Sequence, residues 1–122
     1  MSYRIEHAHD EDTIRIVLSG FVNHASVDHL ADDVIALSRQ RPIKRLLVDV
    51  RALRDEVNAF KVIELVERYP PEGRMHRVAV IEEPAQVAVH RFHETVAQNR
   101  GYRLRHFTDA ARAASWLRGE KQ

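Results

Sequence analysis

Apolar and polar positions alternate in two stretches near the start of the chain, Tyr3-Arg4-Ile5-Glu6-His7 and Thr13-Ile14-Arg15-Ile16-Val17-Leu18, with a polar segment over residues 8–12 between them. Period-two alternation places successive side chains on opposite faces of a strand. The first predicted unit is therefore two strands joined by a loop. Gly20 and Asn23 interrupt the alternation, and from Ala25 or Ser26 onward Val27, Leu30, Val34 and Leu37 recur at helical spacing. Ser26 is the expected N-cap, Asp28 lies in the first turn, and Arg41-Pro42 ends the helix. The run Leu46-Leu47-Val48-Asp49-Val50-Arg51-Ala52-Leu53 is apolar enough to be buried on both faces, which points to a parallel strand inside an α/β sheet.

The next helix is predicted from about Val57 to Tyr69, capped by Asp55 and ended by Pro70-Pro71 and Gly73. Val62, Ile63, Leu65, Val66 and Tyr69 share one broad face, and Lys61, Glu64, Glu67 and Arg68 share the other. Val57 and Phe60 fall at or beyond the apolar boundary, as a potential exposed apolar spot. His76 to Ile81 reads as a further strand, and Pro84 suits the first turn of a helix whose expected inner face is Ala85, Ala88, Phe92 and Val96. Gly101 stops that helix. Tyr102 to Phe107 forms a last strand with Arg103 and Arg105 on one solvated edge face. Thr108 or Asp109 caps a final helix that turns Ala110, Ala113, Trp116 and Leu117 to the sheet. The order β-β-α-β-α-β-α-β-α predicts an α/β fold with a mainly parallel, five-stranded mixed sheet and four helices, its crossovers right-handed.

The Leu46 to Leu53 strand, the His76-Arg77-Val78-Ala79-Val80-Ile81-Glu82-Glu83-Pro84 segment and the ending Asn99-Arg100-Gly101-Tyr102-Arg103-Leu104-Arg105-His106-Phe107 with Ala110, Ala113, Trp116 and Leu117 carry a family likeness. In that order they resemble bacterial SpoIIAA-like proteins of the STAS/SEC14-type group. The resemblance spans nearly the whole chain and implies one SpoIIAA-like domain over residues 1–122. It also implies a regulatory role without catalysis, because the better understood relatives are anti-sigma factor antagonists. Those relatives are switched by phosphorylation of a serine near the start of the helix after the central strand. The matching stretch here, Arg51-Ala52-Leu53-Arg54-Asp55-Glu56-Val57-Asn58-Ala59, has no hydroxyl, and no serine or threonine occurs between Ser38 and Thr95. Asp55 or Glu56 would place a fixed negative charge near a helix N-terminus, where anions are favoured, although helix capping is the plainer reading.

At 122 residues the chain is long enough for one core without metals or disulfides. It has no cysteine, which removes thiol chemistry and thiolate metal sites and fits a reducing compartment. No apolar run reaches the roughly 20 residues that span a bilayer. The N-terminus also lacks a signal-peptide layout, so the expected location is the cytoplasm and the expected mature chain is the whole chain. The net charge of +1 hides an asymmetry: residues 1–73 carry 10 basic and 13 acidic side chains, and residues 74–122 carry 9 and 5. This modest basic excess has neither the clustered stripe nor the reading element of a nucleic-acid binder, so no nucleic-acid partner is expected.

Catalytic motifs are missing. The four glycines, at 20, 73, 101 and 119, are isolated and build no phosphate loop, and Ser19 with His24 has no orienting acid in evident register. Consecutive Glu82 and Glu83 point to opposite sides of a strand and do not form a carboxylate pair. Among the eight histidines, His90 and His93 share a helix face, but two ligands are not a site. They are expected at the surface or an interface beside a core-facing Phe92, with neither metal nor other cofactor.

Ligands of open α/β sheets lie beyond the carboxyl ends of the strands. The candidate binding rim is therefore Asp49, Arg51, Arg54, Asp55, Asn58 and Phe60, flanked by Phe21, Val22 and Asn23 and by Glu82 and Glu83. Two uses of this rim follow: a protein-interaction module with an unidentified partner, or a carrier or sensor of a small hydrophobic, lipid-like or anionic ligand. The exposed apolar spot also admits a homodimer.

Overall fold

The computed structural model describes residues 1–7, 12–54 and 59–119. Its elements are β1 (Ser2–His7), β2 (Thr13–Gly20), α1 (His24–Gln40), β3 (Arg45–Leu53), α2 (Ala59–Glu67), β4 (Arg77–Ile81), α3 (Val87–Asn99), β5 (Arg103–Phe107) and α4 (Ala110–Leu117). Short 3-10 helices over Pro71–Met75 and Pro84–Gln86 precede β4 and α3. The five strands form one sheet in the order β1-β2-β3-β4-β5. β1 runs antiparallel to β2, and β2 to β5 are mutually parallel, as the element order predicts.

Each crossover steps to the neighbouring strand in the same direction, so a constant hand puts α1, α2 and α3 on one face of the sheet. Val34 of α1, Val66 of α2 and Ala97 of α3 accordingly pack with Ile14, Ile16 and Leu18 of β2, Val78 and Val80 of β4, and Leu104 of β5. No strand follows α4 among the described residues, and it covers the opposite face, where Ala113 and Leu117 meet Ala79, Ile81 and Phe107. Tyr3 and Ile5 of β1 extend the larger core, and the Tyr3 hydroxyl bonds Asp33 of α1.

Local chemistry moved two expected boundaries. α1 starts at His24, capped by Asn23, whose side chain accepts from the Ser26 amide at 2.8 Å; Ser26 is inside the helix. α2 is described over Ala59–Glu67 and ends two residues before the expected Tyr69, while residues 57 and 58 and the expected cap Asp55 lie outside the described residues. Tyr69, two residues beyond the helix, still packs on the larger core. Asp109 caps α4 through bonds from the Ala111 and Arg112 amides.

The largest departure from expectation is the rotation of α3. Phe92, Ala88 and Ala85 are exposed, while Ala97 is fully buried and His90, His93 and Glu94 turn toward the sheet. His90 and His93 are therefore not surface residues, and Phe92 is not a core residue. The cause lies in β4 and β5: Glu82 and His106 face α3 from the sheet, and a buried polar group requires a polar partner.

Candidate functional site

β3 leaves the sheet through a bulge. Val17 pairs with Asp49 and Ser19 with Ala52, so Val50 and Arg51 together oppose Leu18. The irregularity brings Arg51 back onto Asp49. Its Nε and a terminal nitrogen reach the two carboxylate oxygens at 3.0 and 2.8 Å, and its backbone amide adds a bond of 3.1 Å. Arg15 of β2 reaches the same carboxylate at 3.1 Å. Asp49 is buried, and the Arg51 bonds hold its carboxyl below the ordinary carboxylate value against the opposing pull of burial.

Asp49 pairs with Ile81, which belongs to the α4 face, so its carboxylate lies on the side away from α1, α2 and α3. Arg54 is exposed just past β3, and its amide donates to Gly20 O at 2.9 Å, tying the exits of β2 and β3 together. Phe60, in the first turn of α2, is 80% exposed, and Phe21 is exposed after β2. Asn23 is engaged as the α1 cap. Just past β4, Glu82 is buried and Glu83 is exposed. Asp55, Val57 and Asn58 lie outside the described residues.

On the opposite side of the sheet, beneath α1, α2 and α3, lies a cavity of about 250 Å³. Ile16, Leu46, Val48, Val80 and Leu104 floor it, and Leu30, Val34, Val62 and Leu65 line the helix side. Its lining is almost wholly apolar except at one end, where Tyr69, His90, His93 and His106 converge.

These side chains form a continuous polar chain. Tyr69 Oη lies 2.8 Å from His93 Nε2, and His93 Nδ1 lies 2.8 Å from His106 Nε2. Beyond it, Glu82 Oε2 is 3.3 Å from His106 Nδ1 and 2.5 Å from His90 Nδ1. Glu94 accepts the His106 amide at 2.7 Å and braces the end of β5 against α3. Burial raises the Glu82 carboxyl to about 7 and lowers His93 to about 4, with His90 and His106 lowered for the same reason. Burial disfavours the charged form of both Glu82 and His90. Glu82, His90 and His106 present donor atoms that all lie within 4.8 Å of one another, a spacing suited to a cation.

Spacing along the chain placed His90 and His93 on one helix face but gave no sign of their partners, which come from the segment after α2, from the end of β4 and from β5. The available signal was the α3 wheel, on which His90, His93, Glu94 and Ala97 also form a stripe when histidine is allowed an inward position.

Chain order, sheet order and the two helical layers are those of the SpoIIAA-like fold. The chain is similar to an uncharacterised protein with a SpoIIAA-like fold from Shewanella loihica PV-4, at 18% identity and a TM-score of 0.62 over 95% of this chain and 92% of that one. It is similar to the anti-sigma factor antagonist SpoIIAA in its unphosphorylated form, at 16% identity and a TM-score of 0.60 over 99% and 100% of the two chains. An anti-sigma factor antagonist from Mycobacterium paratuberculosis aligns at 15% identity and a TM-score of 0.54, over 96% and 95%. At these identities the likeness is one of fold. No family model and no curated protein matches the chain. Among the described residues, no helix is long and apolar enough to cross a membrane.

Proposed function

We propose that this chain is a non-catalytic regulatory module that docks a protein partner at the rim beyond β2 and β3, through Arg51, Arg54, Phe60 and the adjoining Asp55 and Asn58, with Asp49 fixing Arg51 from below. The observation that carries this reading is Phe60, a large apolar side chain 80% exposed beside the exit of the central strand. Exposed aromatic and arginine side chains are the composition of interface anchors. End-to-end similarity of fold to two anti-sigma factor antagonists supports a partner-binding role. The absence of any serine or threonine from residue 39 to 94 means that this docking runs without a hydroxyl switch at the β3–α2 exit. Within the rim, Asp49 and Arg51 form a fixed ion pair, which suits recognition better than proton transfer.

Arg54→Glu combined with Phe60→Asp tests the proposal. The double variant should keep the circular dichroism spectrum and Tm of the parent while losing the specific partner that the parent captures in the producing cell. Unchanged partner binding by a folded double variant would refute it. The apolar cavity favours a second reading, a carrier or sensor of a small hydrophobic ligand, for which native mass spectrometry should find a non-covalent adduct on the purified chain.

A further inference from the structure

The strongest unassigned feature is the junction of β4, α3 and β5. Glu82 is 4% exposed, the His106 side chain 7% and the His90 side chain 17%. His106 Nδ1 is fully buried and has no hydrogen-bond partner, for although Glu82 Oε2 is 3.3 Å away, the two are out of line for a bond. A buried imidazole nitrogen left without a partner is costly in a polar cluster that is otherwise connected. The same carboxylate oxygen is approached from α3 by His90 Nδ1 at 2.5 Å. Three donor atoms thus converge from three different elements.

We propose that Glu82, His90 and His106 form a binding site for a zinc-class divalent cation, with Glu82 Oε2, His90 Nδ1 and His106 Nδ1 as ligands. Two imidazoles and a carboxylate are a borderline donor set of the kind zinc accepts, and zinc-to-donor distances near 2.0–2.2 Å are reached from donors within 4.8 Å of one another by small rotations of χ angles. A cation also resolves the electrostatics, since it accepts the lone pair of His106 Nδ1 and compensates a carboxylate removed from water.

The surrounding hydrogen bonds fit one tautomer. With the cation on Nδ1, His106 carries its proton on Nε2 and donates to His93 Nδ1 at 2.8 Å; His93 then carries its proton on Nε2 and donates to Tyr69 Oη at 2.8 Å. His93 and Tyr69 thereby orient the ligand ring, the arrangement in which an outer partner fixes a metal-bound histidine. Glu94 fixes the same residue through its backbone amide. Three protein ligands leave a fourth position open.

The test uses the full chain, stripped with chelator and freed of any tag, titrated with zinc chloride by calorimetry at pH 7.5, with cobalt(II) absorption as a second readout. One cation per chain should bind, with a cobalt spectrum of four-coordinate type. Glu82→Gln and His90→Gln should each abolish stoichiometric uptake, and His93→Gln should weaken it about 10- to 100-fold. Double replacement of the exposed His24 and His29 by Gln should leave it unchanged. His90 is the least buried ligand, and its variant is checked for an unaltered circular dichroism spectrum, so loss of uptake is separable from loss of fold. Absence of one-to-one binding in the parent would overturn the proposal. So would uptake that survives in both Glu82→Gln and His90→Gln, or uptake that depends on His24 and His29.

Discussion

His93 Nδ1 of α3 and His106 Nε2 of β5 face each other across 2.8 Å, beneath the helical layer and at the polar end of an otherwise apolar cavity. The contact joins a helix to an edge strand through two groups that must stay neutral to remain buried. It makes the stability of this corner dependent on proton concentration.

The pH dependence has a definite sign. An unfolded histidine takes up a proton near pH 6.5, whereas His93, buried among Tyr69, His90 and His106, does so only at about 4. Between those values the unfolded chain binds more protons, so acidification from pH 6.5 to 4 removes stability, on the order of 3 kcal/mol for this one group. Glu82 opposes the trend: raised from 4.5 to about 7, its protonated form adds stability that is complete below 4.5 and lost as pH rises through 7. In metal-free protein the His93 ring resonances followed by NMR should titrate at about 4. Midpoints near 6.5 would show the ring to be solvated.

A second prediction concerns the bulge. Arg51→Ala leaves the buried Asp49 carboxylate with Arg15 and the backbone amide of residue 51, and should cost about 1–3 kcal/mol in urea denaturation. Because Asp49 is held below its ordinary value in the folded chain, its contribution is present above pH 3.8 and lost as pH falls through the folded value. The variant should therefore show a shallower loss of stability below pH 3.8 than the parent.

Cavity filling tests whether the space beneath α1 is open in solution. Val34 is buried and lines the cavity from the helix side. Val34→Leu adds one methylene. With room available it should raise Tm by a few degrees, whereas a collapsed core would be overpacked and lose about 1–3 kcal/mol. Thermal unfolding followed by circular dichroism separates the two outcomes.

The start of α1 offers a local test. Asn23→Ala removes the acceptor for the Ser26 amide and should lower stability by about 1 kcal/mol, read as a reduced urea midpoint with an unchanged slope. Ser26→Ala should cost less, since Ser26 lies inside the helix and its hydroxyl donates to Met1 O at a long 3.2 Å.

Much of the architecture is legible from local pattern alone. The alternation of Thr13 to Leu18, the apolar run through Val50 and the helical spacing from Val27 to Leu37 each specify one element. Their order leaves little choice of topology, because parallel neighbours need crossovers of one hand. The exposure of Phe60 also follows from its place on the α2 wheel, and the exposure of Arg103 and Arg105 from alternation on an edge strand. Those properties depend on residues near one another in the chain, and periodicity reports them directly.

The inward histidines were decided elsewhere. The pattern of α3 allows either Phe92 or His93 to face the sheet, and apolarity alone favours Phe92. What reverses the choice is Glu82 and His106, 11 residues before and 13 after His93, which reach the α3 face only once β4 and β5 pair. A buried carboxylate outweighs the gain from burying one phenyl ring, since an unpaired charge or polar group costs more than an exposed aromatic loses. Sequence therefore determined the strands, the helices and their order. Tertiary structure determined which face of α3 is inside, and with it the joining of Tyr69, His93, His106, Glu82 and His90 into one chain, because polar satisfaction depends on partners that only the folded sheet supplies.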